Sequence, residues 1–229
     1  MRAQALRAKV VLDLLVWVGA VLSAVRALLD ARDHFAKGAI DAAALRKVED
    51  DAIRRDFTAN ALYYAIEDFS VRDYVGGFED VLARKMKLIG DPEQRYREDP
   101  VRMLRAVRLA GKLGFEIDAA SAEPIPRLAP LLSEAAPARL FEEMLKLFLS
   151  GNAVASFEGL ERFGLLPALL PETAAALASN RSGALRSMLL EGLRGTDARV
   201  ANDEPVSPSF LFALLLWPAY CRALMGLQA

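Results

Sequence analysis

The 229-residue chain has a single cysteine, Cys221, and a single histidine, His34. One cysteine excludes an internal disulfide framework and a thiolate metal cluster, and one histidine excludes a histidine-rich zinc site. Thiol usage this sparse fits a reducing cytoplasm. An excess of either charge is also lacking: 29 Lys and Arg stand against 30 Asp and Glu, a net charge of −1. That balance excludes a uniformly basic nucleic-acid binder and leaves room only for a local basic surface. Aromatics make up 8%, and 14 glycines and 11 prolines are too few for a collagen-like or low-complexity chain. No repeat of fixed period occurs. What is present is a 54% hydrophobic content rich in alanine and leucine, enough to fill a core and inclined to helix.

Residues 10–29 form an apolar stretch interrupted only by Asp13 and Arg26, with a charge-free run from Leu14 to Val25. A bilayer-spanning helix needs about 20 apolar residues. This run falls short unless both charged side chains snorkel to the bilayer surfaces. Arg2, Arg7 and Lys9 precede it as in a secretory leader, but an arginine sits where cleavage would be expected and no Ala-x-Ala site follows. The run therefore reads as a helix that is buried or faces a partner. Residues 28–50 turn amphipathic and charged and read as helix, turn at Gly38, helix.

From Asp50 to Tyr64 charge is packed against aromatics with no simple period. Tyr63 to Ile66 and Val71 to Val75 are β-prone runs separated by four residues, a short hairpin, and Gly76-Gly77 ends the second before a helix over Phe78 to Arg84. Lys87 to Pro92 reads as a brief extended piece and turn. A helix then starts at Pro100, with Asp99 as its cap.

Taken at about 100° per residue from Asp99, Arg102, Arg105 and Arg108 fall at roughly 300°, 240° and 180° on that helix, while Met103, Leu104, Ala106, Val107, Ala110 and Leu113 share the opposite arc. One face is core, and the other is an arginine ridge that winds obliquely. Such a ridge suits an elongated anion, for which a nucleoside triphosphate has the shape. Residues 84–112 carry nine Lys and Arg against four Asp and Glu, the local basic surface that the balanced total allows.

Asp99 accepts hydrogen bonds and Arg102 donates them, and from i and i+3 both can reach one ligand edge. Adenine and cytosine offer an amino donor beside a ring-nitrogen acceptor, whereas guanine and uracil present the opposite polarity. Such a pair would accept A and C and reject G and U. The same residues also suit a plain helix cap, with Arg102 pairing to Asp99 or Glu98.

Three ordered segments, Arg54 to Leu62, Asp73 to Asp80, and Ile89 to Pro92 leading into Arg95 to Arg102, resemble the class II nucleotidyltransferase family of bacterial poly(A) polymerases and tRNA CCA-adding enzymes. The resemblance runs over about residues 48–220, and Tyr63-Tyr64, Pro137 to Glu143 and Ser207 to Phe212 incline it to the poly(A) polymerase branch. It implies a mainly α fold with a helical neck and body and a small β-hairpin remnant of the nucleotidyltransferase head. On this division residues 1–49 are a leader of unclear origin, 50–94 the head remnant, and 95–229 a neck and body that bind RNA and nucleotide. By resemblance Arg55 and Asp56 hold the nucleotide sugar, Asp99 and Arg102 its base edge, and Arg105 and Arg108 its phosphates, with Glu98 part of the same motif. The substrate implied is ATP, and the partner is an RNA 3′ end.

The departures carry equal weight. In this family an Asp-x-Asp pair after a Gly-Gly-x-x-Arg-Asp turn holds the Mg2+ ions that serve phosphoryl transfer, and neither pattern occurs here. The expectation is a truncated or fused chain that keeps nucleotide and RNA binding without independent catalysis. A separate chain supplying the missing carboxylates would rebuild a split enzyme. The alternative of another class is a noncatalytic helical scaffold whose apolar leader docks a partner or a bilayer. Beyond Phe115 the chain reads as helices broken at Pro124 to Pro126, Pro137, Gly151-Asn152, Gly164 and Pro167 to Pro171, with Leu140, Met144, Leu147 and Phe148 packing in the core.

Overall fold

Alanine- and leucine-rich segments punctuated by proline and glycine give a mainly helical chain in the computed structural model, which describes residues 42–65 and 69–227. It divides into two units. The smaller holds α1 (Ala42–Arg54) and an antiparallel hairpin of β1 (Leu62–Ala65) and β2 (Ser70–Asp73), while the larger holds Asp56–Ala59 and all described residues from Phe78 onward.

In the smaller unit Leu62 pairs with Asp73 and Ala65 with Ser70. The hairpin is the one expected, with its strands beginning a residue earlier than the β-prone runs and the second ending at Asp73 instead of Val75. The Tyr63 hydroxyl donates to Asp51 Oδ2 at 2.6 Å, tying strand β1 to helix α1. After β2 the Asp73 carboxylate accepts from the backbone N–H groups of Val75 (3.1 Å) and Gly77 (3.0 Å). Gly76 lies between them at φ +77, a conformation that suits glycine. This turn leads into α2 (Gly77–Leu82), which ends two residues short of the expected Arg84.

In the larger unit two strands that periodicity does not reveal, β3 (Lys85–Met86) and β4 (Glu116–Ile117), pair in parallel. Two residues each are too few to show a period of two. Between them lie α3 (Pro92–Glu98) and α4 (Val101–Leu113). The first of these follows the expected turn, which ends at Pro92, and is a helix that the sequence reading does not assign; Asp91 caps it by accepting from Gln94 N at 2.8 Å, with Pro92 in its first turn. Asp99 has extended backbone, Pro100 is already helical, and Asp99 Oδ1 accepts from Val101 N at 3.3 Å, in keeping with the expected start of α4. Gly114, at φ +64, closes that helix. Val101, Met103, Leu104, Ala106 and Val107 are buried, so the apolar arc of the wheel is the core face.

The rest is a series of helices: α5 (Ala119–Ala122), α6 (Ile125–Leu128), a 3-10 turn over Ala129–Glu134, α7 (Pro137–Phe148), α8 (Ala153–Arg162), α9 (Leu166–Leu169), α10 (Pro171–Ser179), α11 (Ala184–Ala201) and α12 (Pro208–Leu227). The breaks up to Pro171 fall at the prolines and glycines named above, whereas those over residues 180–183 and 202–207 are not among them. Helix α11 continues past its last buried leucine, Leu193, and α12 passes through Pro218. Helix α4 packs on α7 and α8. Met144, Leu147 and Phe148 of α7 are buried as expected, and Leu140 is half-buried. Among the described residues no helix is long and apolar enough to cross a membrane. The apolar leader run lies outside the described residues.

Candidate functional site

Asp56 is carried to the ridge by a short piece of irregular sheet. Phe57 and Leu88, both buried, form an antiparallel bridge, with Thr58 N donating to Lys87 O and Ile89 N donating to Asp56 O, each at 3.0 Å. The Thr58 hydroxyl adds a 2.8 Å bond to Asp80 Oδ2, linking the first motif to the second. On the other side of Leu88 its N–H donates to the buried Ser121 hydroxyl at 3.0 Å, and the Ser121 carbonyl accepts from the Tyr96 hydroxyl at 2.9 Å. Burial pushes the Tyr96 phenol upward in pKa, so it acts as a donor.

The Asp56 carboxylate meets α4 side-on. Its Oδ1 accepts from Arg102 Nε at 2.8 Å and lies 3.8 Å from Arg95 Nη2, and its Oδ2 accepts from Arg105 Nη1 at 2.6 Å. Arg102 also donates through Nη1 to the Arg95 carbonyl at 2.7 Å and to Glu98 Oε2 at 3.3 Å. The Asp56 side chain retains 20% of its exposure and that of Arg102 14%. Burial alone would raise the Asp56 pKa, but hydrogen bonds from Arg102 and Arg105 prevail and hold it below the ordinary aspartate value. Arg105 is shifted upward, because its bond to Asp56 outweighs the desolvation that opposes its charge.

Farther along α4, Arg108 Nε donates to Glu143 Oε1, and Arg105 Nε lies 3.9 Å from Glu143 Oε2. Glu143 is a buried acid on α7, with Lys146 Nζ also 3.8 Å away. The expected ridge is therefore a row of guanidiniums pre-oriented by two carboxylates. Each arginine has five N–H donors, and Arg105 and Arg108 are bonded to these acids through Nη1 and Nε respectively, so other donors can meet an anion.

The expected site residues thus fall into three groups. Asp56, Glu98, Arg102 and Arg105 form one network, which Arg105 and Arg108 extend to Glu143. Asp99 does not pair with Arg102, because its Oδ2 accepts from Arg139 Nη2 at 2.7 Å, while Arg102 is taken by Asp56 and Glu98. Arg55 belongs to the smaller unit, where it donates to Asp51 Oδ2 at 2.8 Å. Three participants were not singled out as site residues from sequence: Arg95, Arg139 and Glu143. A signal for the last was present, since an acid at i+3 from Leu140 and i−4 from Leu147 lies on a core-facing stripe and needs a cation.

Among the described residues no group of three or more His, Cys, Asp or Glu side chains could hold a metal ion. Asp56, Glu98 and Glu143 of the network, and Asp99 beside it, all face arginines. This donor set does not fit a divalent cation, which needs carboxylate oxygens converging on one point.

The family described as "Poly A polymerase head domain" matches residues 22–87, and the one described as "Probable RNA and SrmB- binding site of polymerase A" matches residues 114–177. The head match begins inside the apolar run, so head-type sequence extends further toward the N terminus than the three motifs indicate. The poly(A) polymerase I of Salmonella typhi is 50% identical over 170 residues, which are 74% of this chain and 37% of that protein. The CCA-adding enzyme of Limosilactobacillus reuteri is 43% identical over 121 residues, 53% of this chain and 30% of its own. The crystal structure of the Bacillus stearothermophilus CCA-adding enzyme in complex with CTP superposes with a TM-score of 0.53 at 30% identity, covering 73% of this chain and 45% of that one. The chain belongs to the class II nucleotidyltransferase superfamily of poly(A) polymerases and CCA-adding enzymes. It spans less than half the length of these relatives.

Proposed function

We propose that this chain is a poly(A) polymerase-like RNA nucleotidyltransferase element that binds ATP on α4 and engages RNA 3′ ends, without catalysing adenylate addition by itself. In this reading Asp99 and Arg102 face the base edge, Arg105 and Arg108 take the phosphates, Asp56 and Arg55 serve the sugar, and Glu98 braces Arg102. The observation that supports it most is the Asp56 carboxylate bonded to both Arg102 and Arg105, since it orients a base-facing and a phosphate-facing guanidinium together. Orienting these donors in advance lowers the cost of fixing them when a ligand arrives.

The described residues offer no donor set for the Mg2+ ions of phosphoryl transfer. A partner chain carrying the missing carboxylates would complete a split enzyme. The test incubates the full chain with Mg2+, labelled ATP and an RNA primer, alongside a direct ATP titration. ATP binding without tail growth is expected, and tail growth by the chain alone overturns the noncatalytic reading. A second reading, a helical interaction scaffold, is favoured by Phe210, Leu216, Trp217 and Tyr220, all exposed on α12. That reading requires that ATP fail to bind.

A further inference from the structure

We propose that Arg139 is a specificity-determining positioning residue, holding the Asp99 carboxylate in the orientation from which it accepts an amino group of the base. The inference rests on the reading of Asp99 and Arg102 as the base-facing pair.

Asp99 sits between α3 and α4 with extended backbone, φ −147 and ψ 93, so neither helix dictates where its side chain points. Two contacts fix it. Val101 N, two residues along the same chain, reaches Oδ1 at 3.3 Å, a long bond. Arg139 Nη2, 40 residues away, reaches Oδ2 at 2.7 Å, a short charge-assisted bond. A carboxylate has about four acceptor positions. With one position on each oxygen occupied, each oxygen keeps another for a ligand.

The two halves of the pair differ in how they are held. Arg102 is bound by Asp56, Glu98 and the Arg95 carbonyl. Asp99 depends on Arg139 for its one strong contact. The anchor is itself well based, because one turn further along α7 Glu143 is buried beneath Arg108, and Leu147 and Phe148 lie in the core. The Arg139 side chain is 49% exposed, and an ion pair so open to solvent contributes little to stability. Its consequence is orientation. A carboxylate free to rotate can turn away from a guanine carbonyl that a fixed one would oppose, so discrimination is lost while phosphate binding persists.

The test titrates ATP, GTP and inorganic triphosphate into the full chain as wild type, Arg139→Ala, Arg139→Lys and Asp99→Ala, with thermal unfolding recorded for each. In Arg139→Ala the ATP-over-GTP preference should fall by about fivefold or more, with Arg139→Lys recovering part of it. Inorganic triphosphate affinity and the unfolding temperature should match wild type. If Asp99→Ala abolishes the preference and Arg139→Ala retains it, the inference fails and the base-reading assignment stands. If Arg139→Ala weakens all three ligands together or lowers the unfolding temperature, the role is structural and the inference fails. Equal binding of ATP and GTP by wild type overturns the base-reading assignment and the inference together.

Discussion

Arg102 Nε donates to Asp56 Oδ1 at 2.8 Å across 46 residues of sequence, and this bond brings the first and third motifs of the chain to one carboxylate. The same carboxylate receives Arg105 at 2.6 Å. A residue beside the Phe57–Leu88 bridge and two on α4 thereby form a single charged unit.

Acid stability should report that unit. Burial disfavours the charged form of Asp56, the two arginines more than offset it, and the folded pKa lies below the unfolded one. The resulting stability is fully present above the unfolded value, about pH 4, and is lost as pH falls through the lower folded value. Asp56→Asn should lower unfolding free energy at neutral pH by about 1 to 3 kcal/mol and flatten its acid limb. Urea titrations between about pH 2 and pH 7 check both effects. An unchanged acid limb would show that other carboxylates govern it.

Ser121 should matter for folding out of proportion to its size. It is 1% exposed and accepts from Leu88 N at 3.0 Å, so Ser121→Ala strands a buried donor next to the bridge that places Asp56. A loss of about 1 to 3 kcal/mol is expected. Amide exchange at Leu88 should accelerate, and exchange at wild-type rate would contradict this role.

The α4–α8 contact should refuse a methyl group. A Cβ at Gly159 would lie 2.6 Å from Val107 Cγ1. Gly159→Ala should therefore destabilise by about 1 to 3 kcal/mol, and adding Val107→Ala should recover part of the loss. Chemical denaturation of the two single variants and the double variant measures the coupling, and strict additivity would count against the clash.

Arg105 and Arg102 should separate by ligand. Arg105→Ala removes the charge proposed to meet the phosphates and should weaken ATP, CTP, GTP and UTP alike, by about tenfold. Isothermal titration with the four nucleotides checks this, and a change confined to one base would reassign Arg105.

Much of this arrangement is legible in the sequence because helices announce themselves locally. The apolar arc of α4, its start after Asp99 and its arginine ridge follow from a period of 3.6 and a proline. The hairpin follows from two β-prone runs around a turn. What stays hidden is pairing over distance. Nothing near Asp99 points to Arg139, and nothing near Arg108 points to Glu143, because each partner is on α7 and meets α4 only after the helices pack. Strands β3 and β4 escape for a related reason, since two residues apiece gain their identity from each other and not from any local pattern.

The most direct test of the central claim is a binding titration of ATP, CTP, GTP and UTP against wild type and Arg102→Ala. Wild type should prefer ATP and CTP, and Arg102→Ala should erase about 1 to 3 kcal/mol of that preference while retaining triphosphate affinity. Equal affinity for all four nucleotides before and after the substitution would contradict base reading by Asp99 and Arg102.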